Sequence, residues 1–393
     1  MNRDRHGKPV DIVLLSTADW DNPFWTNKQH VAQELARRGH RVLYVDSLGL
    51  RRPSATGRDL RRVLRRLFRA LRPPRAVRDR LWVWSPVVIP LQRFSAVRWI
   101  NKAVLSAGLL LWCALLRIRR QLLWTYNPMT TRLFPASGFD KVVYHCVDEI
   151  KAQPGMPSQT IEESEAELLE AAGLCFVTAE HLLETRRALN LNTHYFPNVA
   201  DFEHFAATRA PATMIPADLA CLPRPCVGFI GAISGYKLDL ALLRHLSQAH
   251  PEWSIVLIGE VGEGDPWTDL APLRSLPNVH LLGPRSYAEL PAYLKGFDVA
   301  MLPSALNPYT QGMFPMKFFE YLAAGCPVVS TDLPALRSFA GVATLAKTHD
   351  EFVSAIERIL TGEAPALGAR LGVAREHTYE QRTERMMALV EAQ

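Results

Sequence analysis

The stretch from Phe314 to Thr331, FPMKFFEYLAAGCPVVST, constrains the fold more than any other part of this 393-residue chain. Pro315 suits the first turn of a helix, where its missing N–H costs nothing. Gly325 suits the position just past a helix, where φ must be positive. Pro327 then opens the apolar, β-branched run Val328–Ser330, which fits a strand buried on both faces. Upstream, Asp298–Leu302 is a second apolar run, stopped by Pro303. The order strand, long loop, helix, strand is a unit of a parallel α/β sheet. Its loop and helix start fall at the carboxyl ends of the strands, where open α/β sheets bind ligands.

The helix start carries the chemistry. Free N–H groups at Met316 and Lys317 would face an incoming anion, aided by the helix dipole, and Lys317 adds a positive charge. Glu320 lies three residues on, on the same face. Its carboxylate can accept hydrogen bonds from both hydroxyls of a ribose. Phosphate at the helix tip and ribose one turn in describe a nucleotide site. The alternative is an ordinary surface Lys–Glu pair, worth roughly 0.2–0.5 kcal/mol.

The flanking sequence divides into two α/β series. Val10–Leu15, a helix near Lys28–Arg38 ended by Gly39, and Arg41–Val45 open a doubly wound domain. Further strands are expected at Leu81–Trp84, Gln121–Thr125, Lys141–His145, Leu174–Thr178 and Thr193–Phe196. Turn residues at Pro197–Asp201 mark a boundary, and residues 206–225 read as a linker. The second series has strands at Cys226–Gly231, Ser254–Ile258, Val279–Leu282, Asp298–Leu302, Val328–Ser330 and Val342–Leu345. The closing helices are expected near Asp350–Leu360 and Glu376–Glu391. The expected domains are 1–197 and 198–374, with a C-terminal helix at 375–393 packing back on the first; the two would face a cleft. The six cysteines show no metal or redox spacing and read as buried thiols in a reducing compartment. The N-terminus has no apolar stretch, so no signal peptide is expected.

In its second half the chain resembles the GT-B fold glycosyltransferases of the large, mostly retaining bacterial family. The residues that carry the likeness are Val227–Ala232, Lys237, Leu257–Gly259, Val279–Gly283, Tyr287–Leu290, Asp298–Pro303 and Lys317–Thr331. Pro197–Asp201 with Phe205 is similar to the family's interdomain connector. The resemblance implies two Rossmann-like domains and a UDP- or GDP-linked sugar donor. Gly231, Lys237, Gly283, Arg285, Phe314, Met316, Lys317 and Glu320 would bind that donor. Glu320 matches the second glutamate of the family's Glu-x7-Glu motif, which binds the ribose; the first falls at Gly312. Lys237 matches the lysine of an Arg-x4-Lys pair whose arginine position is Ala232. Lys317 would supply charge near the diphosphate, as in subfamilies with a Pro-x-Lys-x-x-Glu pattern.

Transfer of the sugar needs the leaving diphosphate's growing charge stabilised, a task for lysines and backbone N–H groups. No acidic cluster in the second half calls for a divalent ion, so no metal and no cofactor is expected. In an inverting reaction a carboxylate or histidine would serve as base; in a retaining front-side reaction the leaving phosphate takes the proton. Candidates in the first half are Asp19, Asp21, His145 and Asp148, with Asp148 and Asp19 preferred. Each has the alternative of a structural turn or cap residue.

Net charge is +6, concentrated in residues 51–80, which hold twelve arginines and two aspartates. Leu60, Val63, Leu64, Leu67, Phe68 and Leu71 follow helical spacing, with arginines on the other face. The pattern predicts an Arg-rich amphipathic helix over 58–80 that binds an anionic membrane surface. Ala103–Leu116 is apolar but short for a span, and reads as a core helix or an interfacial segment. No nucleic-acid motif accompanies the arginines. The resulting expectation is a cytoplasmic enzyme, peripheral on the inner membrane face. It would transfer sugar to a lipid-linked or other glycan acceptor in bacterial surface polysaccharide biosynthesis. A sugar-nucleotide epimerase of the same fold and a catalytically degenerate membrane scaffold are the alternatives.

Overall fold

The structure, a computed structural model, describes residues 8–22, 25–48, 73–86, 88–89, 95–134, 136–265 and 267–393. The chain divides into two compact units. One comprises the chain to Thr178, Leu182–Phe196 and Thr383–Gln393; the other comprises Ala179–His181 and Pro197–Arg382. Helices of two turns or more are numbered below.

The first unit is built on strands β1 (Asp11–Leu15), β2 (Arg41–Val45), β3 (Arg75–Arg78), β4 (Leu81–Trp84), β5 (Leu122–Thr125), β6 (Lys141–Cys146), β7 (Leu174–Val177) and β8 (Thr193–Tyr195). Their order is β3-β4-β2-β1-β5-β6-β7-β8. All neighbours are parallel except β3 and β4. Every residue of β1, β5 and β7 is buried, as expected when helices cover both faces of a parallel sheet. Helices α1 (Asn27–Arg37), α2 (Ser95–Leu115), α3 (Ser158–Ala171) and α4 (Glu180–Arg187) supply the cover. Thr26 and Gln29 form a capping box at the start of α1. Near the chain's end, Lys141 Nζ donates to the carbonyl of Val390 at 2.7 Å.

The second unit holds a six-stranded, all-parallel sheet in the order β11-β10-β9-β12-β13-β14. The strands are β9 (Cys226–Ile230), β10 (Ser254–Ile258), β11 (Val279–Leu281), β12 (Val299–Leu302), β13 (Val328–Thr331) and β14 (Thr344–Ala346). The order runs outward in both directions from β9 and β12, so these neighbours form the topological switch point. Around the sheet lie α5 (Leu240–Ala249), α6 (Lys317–Ala324), α7 (His349–Leu360) and α8 (Leu367–Glu376). The final helix, α9 (Tyr379–Glu391), begins in this unit and ends in the first.

Several expectations are corrected. The Arg-rich helix does not extend to residue 80: Arg75–Arg78 is an edge strand and Asp79–Arg80 its turn. Pro73 and Pro74 explain this, because proline disfavours helix both at its own position and before it. Residues 58–72 lie outside the described residues. The segment 206–225 is not a linker. It contains short helical turns at Ala207–Arg209 and Ala217–Ala220, and Leu219 packs into the core. The strand expected at Val342–Leu345 sits at Thr344–Ala346, and α8 was not foreseen. Five cysteines are buried, but Cys221 is exposed in the turn that follows Ala217–Ala220. All six are free thiols. Among the described residues no helix is long and apolar enough to cross a membrane.

Candidate functional site

In the second unit the donor-site candidates sit in the loops that follow β9, β11 and β12. Gly231 and Lys237 follow β9. Gly283 and Arg285 follow β11. Phe314, Met316, Lys317 and Glu320 belong to the connection after β12. All are therefore at one carboxyl edge of one sheet. Two latches fix the β9 and β12 loops to each other. The N–H of Ala305 donates to the Lys237 carbonyl at 2.9 Å, and the Asn307 side-chain amide donates to the Tyr236 carbonyl at 2.8 Å. A third latch joins α6 to β9: the Tyr321 hydroxyl accepts from the N–H of Ile230 at 2.8 Å. Gly231 follows directly, so α6 is held through Tyr321 to the end of β9. The next strand crowds the same end. A Cβ on Gly259 would lie 1.8 Å from the Gly231 carbonyl oxygen.

Helix α6 forms as its sequence dictates. Phe318, Phe319, Tyr321 and Leu322 are fully buried, and Gly325 adopts a left-handed conformation, φ +87°, at the C-terminal end. The first turn closes from Phe318 N–H to the Pro315 carbonyl at 3.1 Å. Among the described residues, the N–H groups of Met316 and Lys317 have no acceptor. These are the donors a helix start offers to an anion.

Lys317 Nζ lies 2.7 Å from Glu320 Oε2. This is not the surface pair considered above, since Glu320 is only 3% exposed. Burial pushes the Glu320 carboxyl up, and Lys317 and, less, His204 pull it back down. Two neighbours that the sequence had not marked as site residues complete this environment. The His204 ring stacks on Tyr287 at 4.2 Å, and its Nε2 donates to the Tyr287 carbonyl at 2.9 Å. Tyr287 in turn feels the Glu320 charge, after burial the next cause of its raised pKa. The only sequence hint was the position of Tyr287 in the family order.

Two side chains are engaged elsewhere. The Phe314 ring is core, stacked on Phe319 at 5.3 Å, so only its backbone is available. Its carbonyl accepts from the Asn198 amide at 2.5 Å. The Arg285 guanidinium pairs with Asp218 at 2.6 Å and donates to the Tyr293 hydroxyl, a structural task; the Gly283 carbonyl accepts from the Gly259 N–H at 3.1 Å. Lys237 is half-buried, with Nζ 5.4 Å from the centre of the Tyr236 ring. Among the described residues, no three His, Cys, Asp or Glu side chains are grouped so as to hold a metal.

In the first unit, Asp19 follows β1 and Asp148 follows β6, both half-buried. Asp21 pairs with Arg75. His145 is buried among rings, stacked on Tyr126 at 4.7 Å. The Asp148 loop is firmly held. Val147 accepts from the Thr178 hydroxyl at 2.8 Å. Glu149 takes both nitrogens of the Arg186 fork at 2.7 and 2.8 Å, and Glu165 lies 2.8 Å from the same guanidinium. Sequence reasoning missed Asp46, which follows β2. It accepts from Trp20 N–H at 2.7 Å and from the Ser85 hydroxyl, so it anchors the loop that carries Asp19. Burial lifts its carboxyl to about 6, against the pull of those two hydrogen bonds and with help from Asp19 and Asp21.

Comparison with known proteins bears on both halves. Residues 224–362 match the family described as Glycosyl transferases group 1. TuaH of Bacillus subtilis (strain 168), named as a teichuronic acid biosynthesis glycosyltransferase, is 30% identical over 227 residues. That match covers 54% of this chain and 56% of the relative, so the chain spans about half the length of the curated relative it matches. Two solved structures superpose on nearly the whole chain. Sucrose-phosphate synthase from Thermosynechococcus elongatus gives a TM-score of 0.68 at 18% identity, covering 98% of both chains. HepE from Anabaena, in complex with UDP and glucose, gives 0.65 at 14% identity, covering 98% of this chain and 99% of that one. At such identities the likeness is one of fold, and the fold is GT-B. The segment from β9 to α7 is thus similar to the glycosyl transferases group 1 family, on a framework whose fold is GT-B.

Proposed function

We propose that the protein transfers a sugar from a UDP- or GDP-linked donor to a glycan acceptor. The observation that carries this reading is the α6 start: two unpaired N–H groups at Met316 and Lys317, beside the pair that half-buried Lys317 makes with buried Glu320, at the switch point of the segment that matches the group 1 family. In this reading the amides and Lys237 take the diphosphate, whose charge grows as the sugar leaves. Glu320 holds the ribose hydroxyls, with Lys317 keeping its charge tolerable. The base lies along the backbone at Gly283 and Pro284. Asp148 and Asp19 are the acceptor-side carboxylates, and a retaining course leaves the proton to the departing phosphate. The reading is metal-independent, because the cationic groups named here do the work of an ion.

The acceptor side is proposed on coarser grounds. A relative named for a wall-polymer pathway and the arginine-rich stretch 51–80 support a lipid-linked glycan at the inner membrane face, where anionic lipids attract such clusters. Calorimetry with UDP and GDP, followed by product analysis with a panel of nucleotide sugars, tests the core of the proposal. Binding tighter than millimolar and transfer to an added glycan acceptor are expected. An epimerised donor in the absence of acceptor would replace transfer with epimerisation; no binding of either nucleotide would remove the enzyme reading.

A further inference from the structure

We propose that the outer face of α2 is a bilayer-insertion surface: it lies in the headgroup region of an anionic membrane without crossing it. The inference concerns the first unit and stands or falls apart from the nucleotide-sugar reading. Helix α2 is apolar on both sides. One side, with Leu105, Leu109 and Cys113, is buried in the unit, and Gly108 sits so close to the Trp84 ring of β4 that a Cβ there would meet it at 2.7 Å. The other side carries Trp99, Ile100, Val104, Leu110, Leu111 and Leu115, all exposed, with Trp99 at 73% and Leu115 at 64%. From residue 99 to 115 this stripe runs about 24 Å at the α-helical rise. Exposed apolar areas of this extent on a folded protein mark an interaction surface.

Charge selects the occupant. From Pro86 to Phe139 the sequence contains no acidic residue but seven cations, Arg93, Arg98, Lys102, Arg117, Arg119, Arg120 and Arg132; of these, Arg132 is already balanced by its pairing with Glu163 and Glu167. Among the described side chains, exposed Arg117 and Arg119 lie at one end of the stripe, and exposed Lys102, near the other end, also donates to the Thr131 carbonyl at 3.3 Å. A second copy of this face would set cations against cations in either orientation. An anionic lipid surface meets them with opposite charge, while the apolar stripe and Trp99 enter the interface. Because the opposite side of α2 is packed in the protein, the helix lies on the membrane and does not span it.

The test is binding of the full chain to phosphatidylcholine vesicles with and without phosphatidylglycerol, measured by flotation. The wild type is expected to float with the anionic vesicles and to be weakened, not released, by high salt. Val104→Glu/Leu111→Glu is expected to partition about 100-fold less strongly, through loss of buried apolar area. Its melting temperature and UDP affinity should be unchanged, because both side chains are exposed and neither belongs to the second unit. Leu110→Ser/Leu115→Ser should show the same direction of loss. The inference is overturned if the wild type does not float, if both variants float like the wild type, or if both melt at markedly lower temperature, which would mean that the face is covered by protein. It is also overturned if the wild type is a dimer that the variants convert to monomer without any vesicle binding.

Discussion

Replacing Glu320 by glutamine separates a ligand role from a structural one, because the two predict opposite results. The carboxylate is 3% exposed and 2.7 Å from Lys317 Nζ. Its pKa is raised by burial despite that pairing, so the charged form is held at a cost in the free protein. Glutamine keeps the shape and an acceptor oxygen but removes the charge. Lys317, about a quarter exposed, can then turn to solvent. Stability should therefore change by less than about 1 kcal/mol. Nucleotide binding should respond differently. A hydrogen bond to a charged acceptor is worth about 1.5–3 kcal/mol, so the Kd for UDP or GDP should rise by roughly 10- to 150-fold. Thermal melting without ligand and calorimetry with ligand read the two quantities independently. An unchanged Kd in a variant that melts several degrees lower would show that Glu320 is a packing element, and the ribose assignment would fail. Lys317→Met supplies the pH arm. Without its partner, Glu320 keeps a pKa raised still further above its unfolded value. Such a group favours folding below the unfolded pKa and loses that contribution as pH rises through the folded value. The variant's stability deficit should thus be small in mild acid and grow toward neutral pH.

Three other outcomes follow from contacts in the two units. Lys237→Ala should lower kcat by about 100-fold, the usual effect of removing one donor to a developing charge, with little change in melting, since the side chain is half-buried and lies near the Tyr236 ring. Arg186→Met should cost about 3–5 kcal/mol of stability, because it strands the buried carboxylates of Glu149 and Glu165; adding Glu149→Gln and Glu165→Gln should recover much of the loss in a denaturant titration. Asp46 titrates near 6 in place of an ordinary 3.8, and a shift of about two pH units corresponds to ~3 kcal/mol. Its contribution is present below pH 4 and lost as pH rises through 6, so Asp46→Asn should flatten that part of the stability profile without altering it elsewhere. A slope unchanged by the substitution would assign the titration to another group.

The sheets were readable because their strands are buried on both faces. Runs such as Ile12–Leu15 and Val227–Ile230 have no polar alternation to confuse them with surface elements, and each is bounded by turn residues. What escaped notice lacked that signal. Strand β3 is short, arginine-rich and on an edge, so it looks like the charged segment before it; Pro73 and Pro74 are the stop signal that separates the two. Helix α8 has no single apolar stripe, and it is held by particular contacts, such as Arg370 donating to the Gly325 carbonyl at 2.7 Å. The turns at Ala207–Arg209 and Ala217–Ala220 bury single residues among prolines, a pattern that composition alone renders as a linker.

The candidate site was legible to a different depth, and the reason is chemical. Backbone donors are announced by Pro315 and Gly325, whose conformational demands fix where α6 begins and ends. Side-chain environment is not announced at all: nothing near Glu320 in sequence says that His204 and Tyr287 stand beside it, or that Asp46 holds Trp20. This difference bears on how the site would work. The positions where the family places a glutamate and an arginine hold Gly312 and Ala232, so neither can contact a sugar or a phosphate through a charge. Among the donor-site candidates Arg285 is paired with Asp218, which leaves Lys237 and Lys317, and Lys317 already has a buried carboxylate to balance. If both lysine and glutamate are engaged in the pair, the diphosphate must draw most of its stabilisation from Lys237 and from the amides of Met316 and Lys317. Those amides are held rigid by the core under α6 and cost no reorganisation when charge develops. Removing the charge at Lys237 should therefore harm turnover more than removing the charge at Lys317, whose loss should appear first in ribose recognition, as a higher Km for the donor. The opposite ranking in a comparison of Lys237→Met with Lys317→Met would mean that Lys317 leaves Glu320 to grip the diphosphate when the donor binds.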